Sequence, residues 1–207
     1  MRTILVVNPK GGCGKTTIAT NLASYYAVWG VSTALVDYDP QQSSIEWLQQ
    51  RPQAYEPIHA IAGWRGRASI PEGTSRVVID APARIGSSQL EKLIGMANVV
   101  IVPVLPSPID IRAAAHFIGE LLLDGRIRQG KQIALVANRV KENTIIYGNL
   151  EKFLKSLKIP FVTHLRDSQN YIRAAERGIG IFELAPYLVD HDLDQWRPLI
   201  KWIDGKK

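Results

Sequence analysis

The stretch that most narrows what this chain can fold into is Asn-Pro-Lys-Gly-Gly-Cys-Gly-Lys-Thr-Thr at residues 8–17. It follows the apolar run Ile4-Leu5-Val6-Val7 and leads into a helical pattern from Ile18 to Val28. Strand, glycine-rich turn and helix start, in that order, are what a phosphate-binding loop requires. Gly11, Gly12 and Gly14 lack a Cβ, so successive backbone N–H groups can turn inward around phosphate oxygens. A helix beginning near Lys15 aims its positive end at the same point. Lys15 would reach the β- and γ-phosphates, and Thr16 would offer a hydroxyl to the Mg²⁺ that bridges them. Cys13 and Thr17 complete the candidate nucleotide loop. The common Gly-x-x-x-x-Gly-Lys-[Ser/Thr] pattern has glycine where this chain has Pro9, so that form of the motif fails at one position.

Lys10 puts a second ammonium group at the mouth of the loop. Residues 10–16, Lys-Gly-Gly-Cys-Gly-Lys-Thr, resemble the deviant Walker A loop of the ParA/MinD ATPases at every fixed position. The resemblance implies that Lys10 crosses a dimer interface to the phosphates of the partner's nucleotide, so that ATP joins two subunits face to face. It also implies a doubly wound, mainly parallel α/β sheet flanked by helices.

With 207 residues, 46% of them hydrophobic, the chain is expected to form one domain over 1–207. No apolar run nears the roughly 18 residues of a membrane span, and the N-terminus enters the first strand without a signal segment, so a soluble, intracellular protein is expected. The phosphate loop begins near residue 8 of the sequence, so a preceding helix-turn-helix is not expected. The single cysteine, Cys13, excludes an internal disulfide, and the iron–sulfur branch of the superfamily needs two more cysteines per subunit. Lysines and a helix dipole can lower the pKa of a thiol placed there, but a small side chain at a variable loop position is the preferred reading. The formal charge of +6 favours polyanionic partners, either nucleic acid or an acidic membrane face.

A second buried-type strand over Val31 to Asp37 leads into Asp37-Tyr-Asp39-Pro-Gln-Gln-Ser43. Acids at the carboxyl end of such a strand lie at the ligand-binding rim. By resemblance Asp39 positions the attacking water and the metal's water shell, Asp37 supports the magnesium site, and Gln41 or Gln42 lies near the nucleotide of the dimer. Residues 43–51 read as a helix and 52–75 as irregular; the cluster Trp64-Arg-Gly-Arg67 reads as a surface loop. Arg76-Val-Val-Ile-Asp80 has the Walker B pattern, with Asp80 at the strand's end to order waters around Mg²⁺. A helix is expected from Ser87 to Met96 and a strand from Asn98 to Val104, followed by the proline turn Leu105–Asp110 and a helix to Leu123. The resemblance to small, ParF-like ParA proteins gives that turn a part in the dimer interface.

The strand Lys131–Asn138 ends in Asn138-Arg139. An amide there either offers a donor and acceptor to an adenine edge or simply closes a turn. The resemblance favours the base, and Arg139 is counted with it. Leu150 to Leu157 reads as a basic amphipathic helix, Pro160 to Thr163 as a last strand, and Asp167 as the cap of a helix through Arg177. Arg166, Arg173 and Arg177, with Lys152, Lys155 and Lys158, are candidates for holding DNA phosphates without reading bases. In the tail, Trp196, Leu199, Ile200 and Ile203 recur at helical spacing beside Arg197, Lys201, Lys206 and Lys207. MinD proteins end in a membrane-seeking basic helix, but a helix packed on the core gives the same spacing. Asp192, Asp194 and Asp204 would also be repelled by anionic lipid.

These motifs imply, by resemblance, a ParA-type ATPase that dimerises on ATP, binds nonspecific DNA, and is released when a ParB-like or other adaptor stimulates slow hydrolysis. Such a protein would be cytoplasmic, associated with the nucleoid, and would position a plasmid, a chromosome locus or a large protein assembly. A MinD-like membrane cycle is the alternative; a metabolic synthetase of the same superfamily has less in its favour.

Overall fold

The computed structural model describes residues 1–66, 68–123 and 131–205. Strands and helices alternate along the chain: β1 (Arg2–Val6), α1 (Lys15–Val28), β2 (Thr33–Asp37), α2 (Ser43–Gln49), β3 (His59–Ala62) and β4 (Arg76–Asp80). They continue with α3 (Ser87–Met96), β5 (Val99–Val104), α4 (Pro108–Leu123), β6 (Gln132–Val140), α5 (Ile145–Ser156), β7 (Phe161–Arg166), α6 (Gln169–Ala175) and α7 (Pro186–Asp204). The seven strands form one sheet in the order β3-β2-β4-β1-β5-β6-β7, and every pairing is parallel.

Burial on both faces explains the continuous apolar runs of the central strands. Leu5, Ile79, Val100 and Leu135 join a core under α3, α4 and α5. Ile4, Val78, Ile101 and Val136, one residue out of phase, join a second core with α1, Trp47 of α2 and α7. The doubly wound expectation is therefore met. The chain leaves β1 toward β2 on one side and later crosses from β4 to β5 on the other. The carboxyl end of β1 is thus the switch point where open α/β sheets bind ligands.

Several sequence expectations need correction. Residues 52–75 contain β3, a four-residue edge strand paired to β2. Its half-exposed His-Ala-Ile-Ala lacks the β-branched run that marks a buried strand. Helix α5 starts earlier than expected, after Thr144, whose hydroxyl accepts the Tyr147 N–H at 3.3 Å. Strand β7 runs on to Arg166, and Ser168, not Asp167, caps α6. The tail stripe is spent on the core: Trp196, Leu199, Ile200 and Ile203 are buried against α1 and the sheet. That removes the apolar face on which the membrane reading depended. Among the described residues no helix is long and apolar enough to cross a membrane. Arg67, Lys206 and Lys207 lie outside the described residues.

Candidate functional site

The glycine-rich loop leaves β1 and is held from below by Asn8, whose amide donates to the Pro103 carbonyl at 2.8 Å and accepts the Lys10 N–H at 2.9 Å. Gly12 and Gly14 take left-handed φ values of 77° and 89°, which turn the chain into α1. Helix α1 has no capping side chain and no acid in its first turn, so its free N–H groups and positive end face the cleft. The Lys15 ammonium is buried and reaches back to the Lys10 carbonyl at 3.0 Å. Cys13 is buried as well, and burial raises its thiol pKa despite nearby Lys15. Burial of the thiol weighs against an activated thiolate there.

Beside the loop, the ends of β2 and β4 bring Asp37 and Asp80 into register. The hydroxyls of Thr16 and Ser44 donate to Asp80 Oδ2 at 2.7 and 2.6 Å. Asp80 Oδ1 is buried without a partner. Burial pushes the Asp80 carboxyl up to about 6, although both hydroxyl bonds favour its charge. A buried, half-satisfied carboxylate touching the loop threonine fits a Mg²⁺ site, with Thr16 and Asp80 as the groups that would hold the ion or its waters. Among the described residues no three His, Cys, Asp or Glu side chains form a metal cage.

Asp37 organises the turn that follows it. Its carboxylate accepts N–H groups from Asp39 at 2.8 Å, Ser44 at 3.0 Å and Ile45 at 3.3 Å, which caps α2 from the neighbouring strand. It shapes the loop, lies in register beside Asp80 and is also tied to it through Ser44. Ser44 itself escaped the sequence reading, although it follows the acidic turn directly. Asp39 is half-buried at the cleft wall, with Oδ1 accepting the Gln41 N–H at 3.0 Å. Gln41 lines the cleft beside it, and Gln42 starts α2.

A cleft of about 550 Å³ runs from Gly11, Gly12 and Thr16 to Arg139, Tyr171 and Glu176, a size suited to a nucleotide. Asn138 lies in its floor, but its amide nitrogen donates to the Cys13 carbonyl at 2.8 Å, so it clamps the loop. Arg139 and Asp167 meet at 3.6 Å on the cleft's rim. Arg166, Asp167, Ser168, Tyr171 and Ile172 form the far wall, so Arg166, a candidate for DNA, also borders the nucleotide cleft.

The basic candidates fall into two groups. Arg166 is locked in a two-point pair with the fully buried Asp192, at 2.6 and 3.1 Å. Arg173, Arg177, Lys152 and Lys158 are exposed and unpaired among the described residues, and Lys155 pairs with Glu151 at 2.8 Å.

Comparison with known proteins agrees with this geometry. Residues 4–181 match the family model described as the CobQ/CobB/MinD/ParA nucleotide binding domain. The chain is 29% identical over 191 residues to the maintenance of carboxysome distribution protein A of Halothiobacillus neapolitanus, covering 88% of this chain and 87% of that protein. Its fold is similar to a plasmid partition protein of Borrelia burgdorferi solved with AMPPNP, with a TM-score of 0.77, 15% identity, and coverage of 97% and 99% of the two chains. A chain of the MinC:MinD cell division complex of Aquifex aeolicus superposes with a TM-score of 0.69 at 16% identity, over 99% of this chain and 96% of that one.

Proposed function

The chain belongs to the CobQ/CobB/MinD/ParA nucleotide-binding family as a ParA/MinD-type P-loop ATPase, and from that premise we propose that it is a DNA-tethered positioning ATPase. In this reading ATP with Mg²⁺ joins two copies face to face, and the dimer holds nonspecific duplex DNA on the nucleoid. An adaptor protein then stimulates hydrolysis and releases it. Lys15 and Thr16 bind phosphate and metal, Asp80 orders the metal's waters, and Asp39 orients the attacking water. The cargo is a plasmid, a chromosome locus or a protein assembly such as the carboxysome named for the Halothiobacillus relative. The Aquifex MinC:MinD complex gives a precedent for an adaptor acting on this fold.

The observation that carries the reading is the position of Lys10. Its side chain is exposed, unpaired among the described residues, and lines a second cleft that adjoins the first and shares Asp39 with it. A lysine serving its own nucleotide would turn inward as Lys15 does. The test is co-sedimentation with arbitrary-sequence duplex DNA, and separately with anionic liposomes, under ATP, ADP and no nucleotide. ATP-dependent, salt-sensitive retention on DNA alone is expected. Retention on liposomes alone, or on neither, would overturn the proposal.

A further inference from the structure

Arg84 follows the Walker B strand in the loop Ala-Pro-Ala-Arg84, and its backbone has a φ of 58°. Arginine seldom adopts that left-handed region, where glycine or asparagine would cost less. Its N–H donates to the Pro9 carbonyl at 3.2 Å, which ties this loop to the start of the phosphate loop. The guanidinium is exposed and makes no ion pair or side-chain hydrogen bond among the described residues. A cation kept in a strained, anchored position with no partner of its own subunit points outward for its role.

Two clefts meet at the phosphate loop. Gly11, Asp39, Gln41 and Ala83 line both, but Lys10 and Arg84 line only the second, of about 750 Å³, and Lys15, Thr16 and Asn138 line only the first. A phosphate held against Lys15 and Thr16 would sit in the first cleft, which Arg84 does not line. That leaves Arg84 free for phosphates of another molecule. A guanidinium also offers paired N–H groups that match two phosphate oxygens, which an ammonium cannot do.

We infer that Arg84 is a second trans-acting cation, which together with Lys10 binds phosphate oxygens of the nucleotide held by a second copy of this chain. The inference rests on the face-to-face dimer proposed above. It adds a residue to that interface, and it places the loop after Asp80 in contact with the partner's nucleotide.

The test compares wild type, Arg84→Asn and Arg84→Lys by sedimentation velocity with a non-hydrolysable ATP analogue and Mg²⁺, alongside fluorescent ADP binding to the monomer. Asparagine tolerates the left-handed backbone, so Arg84→Asn should keep its thermal midpoint or gain slightly. Its dimer dissociation constant should rise tenfold or more, while ADP affinity stays within twofold. Arg84→Lys, with charge but no fork, should fall between. An unchanged dimer constant in Arg84→Asn, or an equal loss of ADP binding, would overturn the inference. A wild type that stays monomeric with the analogue would overturn the face-to-face reading itself and this inference with it. That failure is told apart because no substitution at residue 84 is involved.

Discussion

Gly14 and Asn138 press against each other across the floor of the nucleotide cleft: a Cβ built on Gly14 would lie 2.0 Å from the Asn138 amide nitrogen. The same nitrogen donates to the Cys13 carbonyl, so one contact fixes both the path of the loop and its distance from β6. Gly14→Ala should cost roughly 2–4 kcal/mol through overpacking and a left-handed alanine, and should abolish nucleotide binding. Asn138→Ala loses one buried hydrogen bond, about 1–2 kcal/mol. In the double variant the clash is gone, so the two costs should sum to less than the singles predict. Urea unfolding of all four proteins measures this.

The Asp80 carboxyl has a pKa of about 6 against an ordinary 3.8, because burial penalises its charge. A raised carboxyl favours folding while protonated, so this contribution to the metal-free protein is complete below about pH 4 and lost as pH climbs through about 6. Asp37, also raised by burial, acts in the same direction. Mg²⁺ requires the carboxylate, so its affinity should rise with pH up to about 6 and then level. Asp80→Asn should flatten both dependences and weaken Mg²⁺ binding. Thermal unfolding and Mg²⁺ titrations across that range, with the nucleotide's own titration subtracted through the variant, check the sign.

The three assigned side chains should fail separably. Lys15→Ala should lose nucleotide binding outright. Lys10→Ala should bind ADP normally but lose ATP-dependent dimerisation, and Asp39→Ala should accumulate a dimer that does not turn over. Nucleotide binding, sedimentation and phosphate release distinguish them, and a Lys10→Ala protein that still dimerises on ATP would refute the trans role.

Much of this site was legible because its parts are local. The loop from Asn8 to Thr17 carries its own glycines and cations, and the strands ending in Asp37 and Asp80 announce themselves by unbroken apolar runs. What escaped the reading depends on contacts between distant segments. Ser44 matters only because α2 folds back on Asp80, and the bond from Asn138 to the loop exists only because the fold brings β6 beside Cys13. Strand β3 is marked less by its own residues than by the edge of β2 that it covers. Asp192 read as a surface acid until β7 and α7 closed over it.

That burial separates the basic residues as experimental targets. Arg166→Ala would leave Asp192 buried with Asn170 and Ser168 as its remaining donors. The expected cost is about 2–3 kcal/mol, below the figure for a wholly buried pair because Arg166 is 32% exposed. Weaker DNA binding in that variant would not by itself separate a lost phosphate contact from damage to the fold. Arg173→Glu and Arg177→Glu touch no partner among the described residues and should leave unfolding and nucleotide binding within error. If they carry DNA phosphates, each should weaken binding severalfold and lessen its salt dependence. Unchanged affinity in both would move the DNA surface elsewhere.

The C-terminal helix gives the sharpest contrast between the two cellular readings. Trp196 is fully buried, stacks edge-on against Phe182 with centroids 5.5 Å apart, and donates its indole N–H to the Tyr171 hydroxyl at 2.9 Å. Tyr171 also lines the nucleotide cleft, so α7 braces the wall against which a nucleotide would rest. Trp196→Ala should cost about 3–5 kcal/mol and loosen nucleotide binding together with the fold. A membrane-seeking tail would behave otherwise: cutting the chain before residue 186 would leave a stable ATPase that had lost only its affinity for anionic liposomes. With Val189, Trp196, Leu199 and Ile203 removed from the core, the truncated protein should fail to fold. A cooperative unfolding transition in that truncation, with nucleotide binding retained, would show that α7 is dispensable to the core.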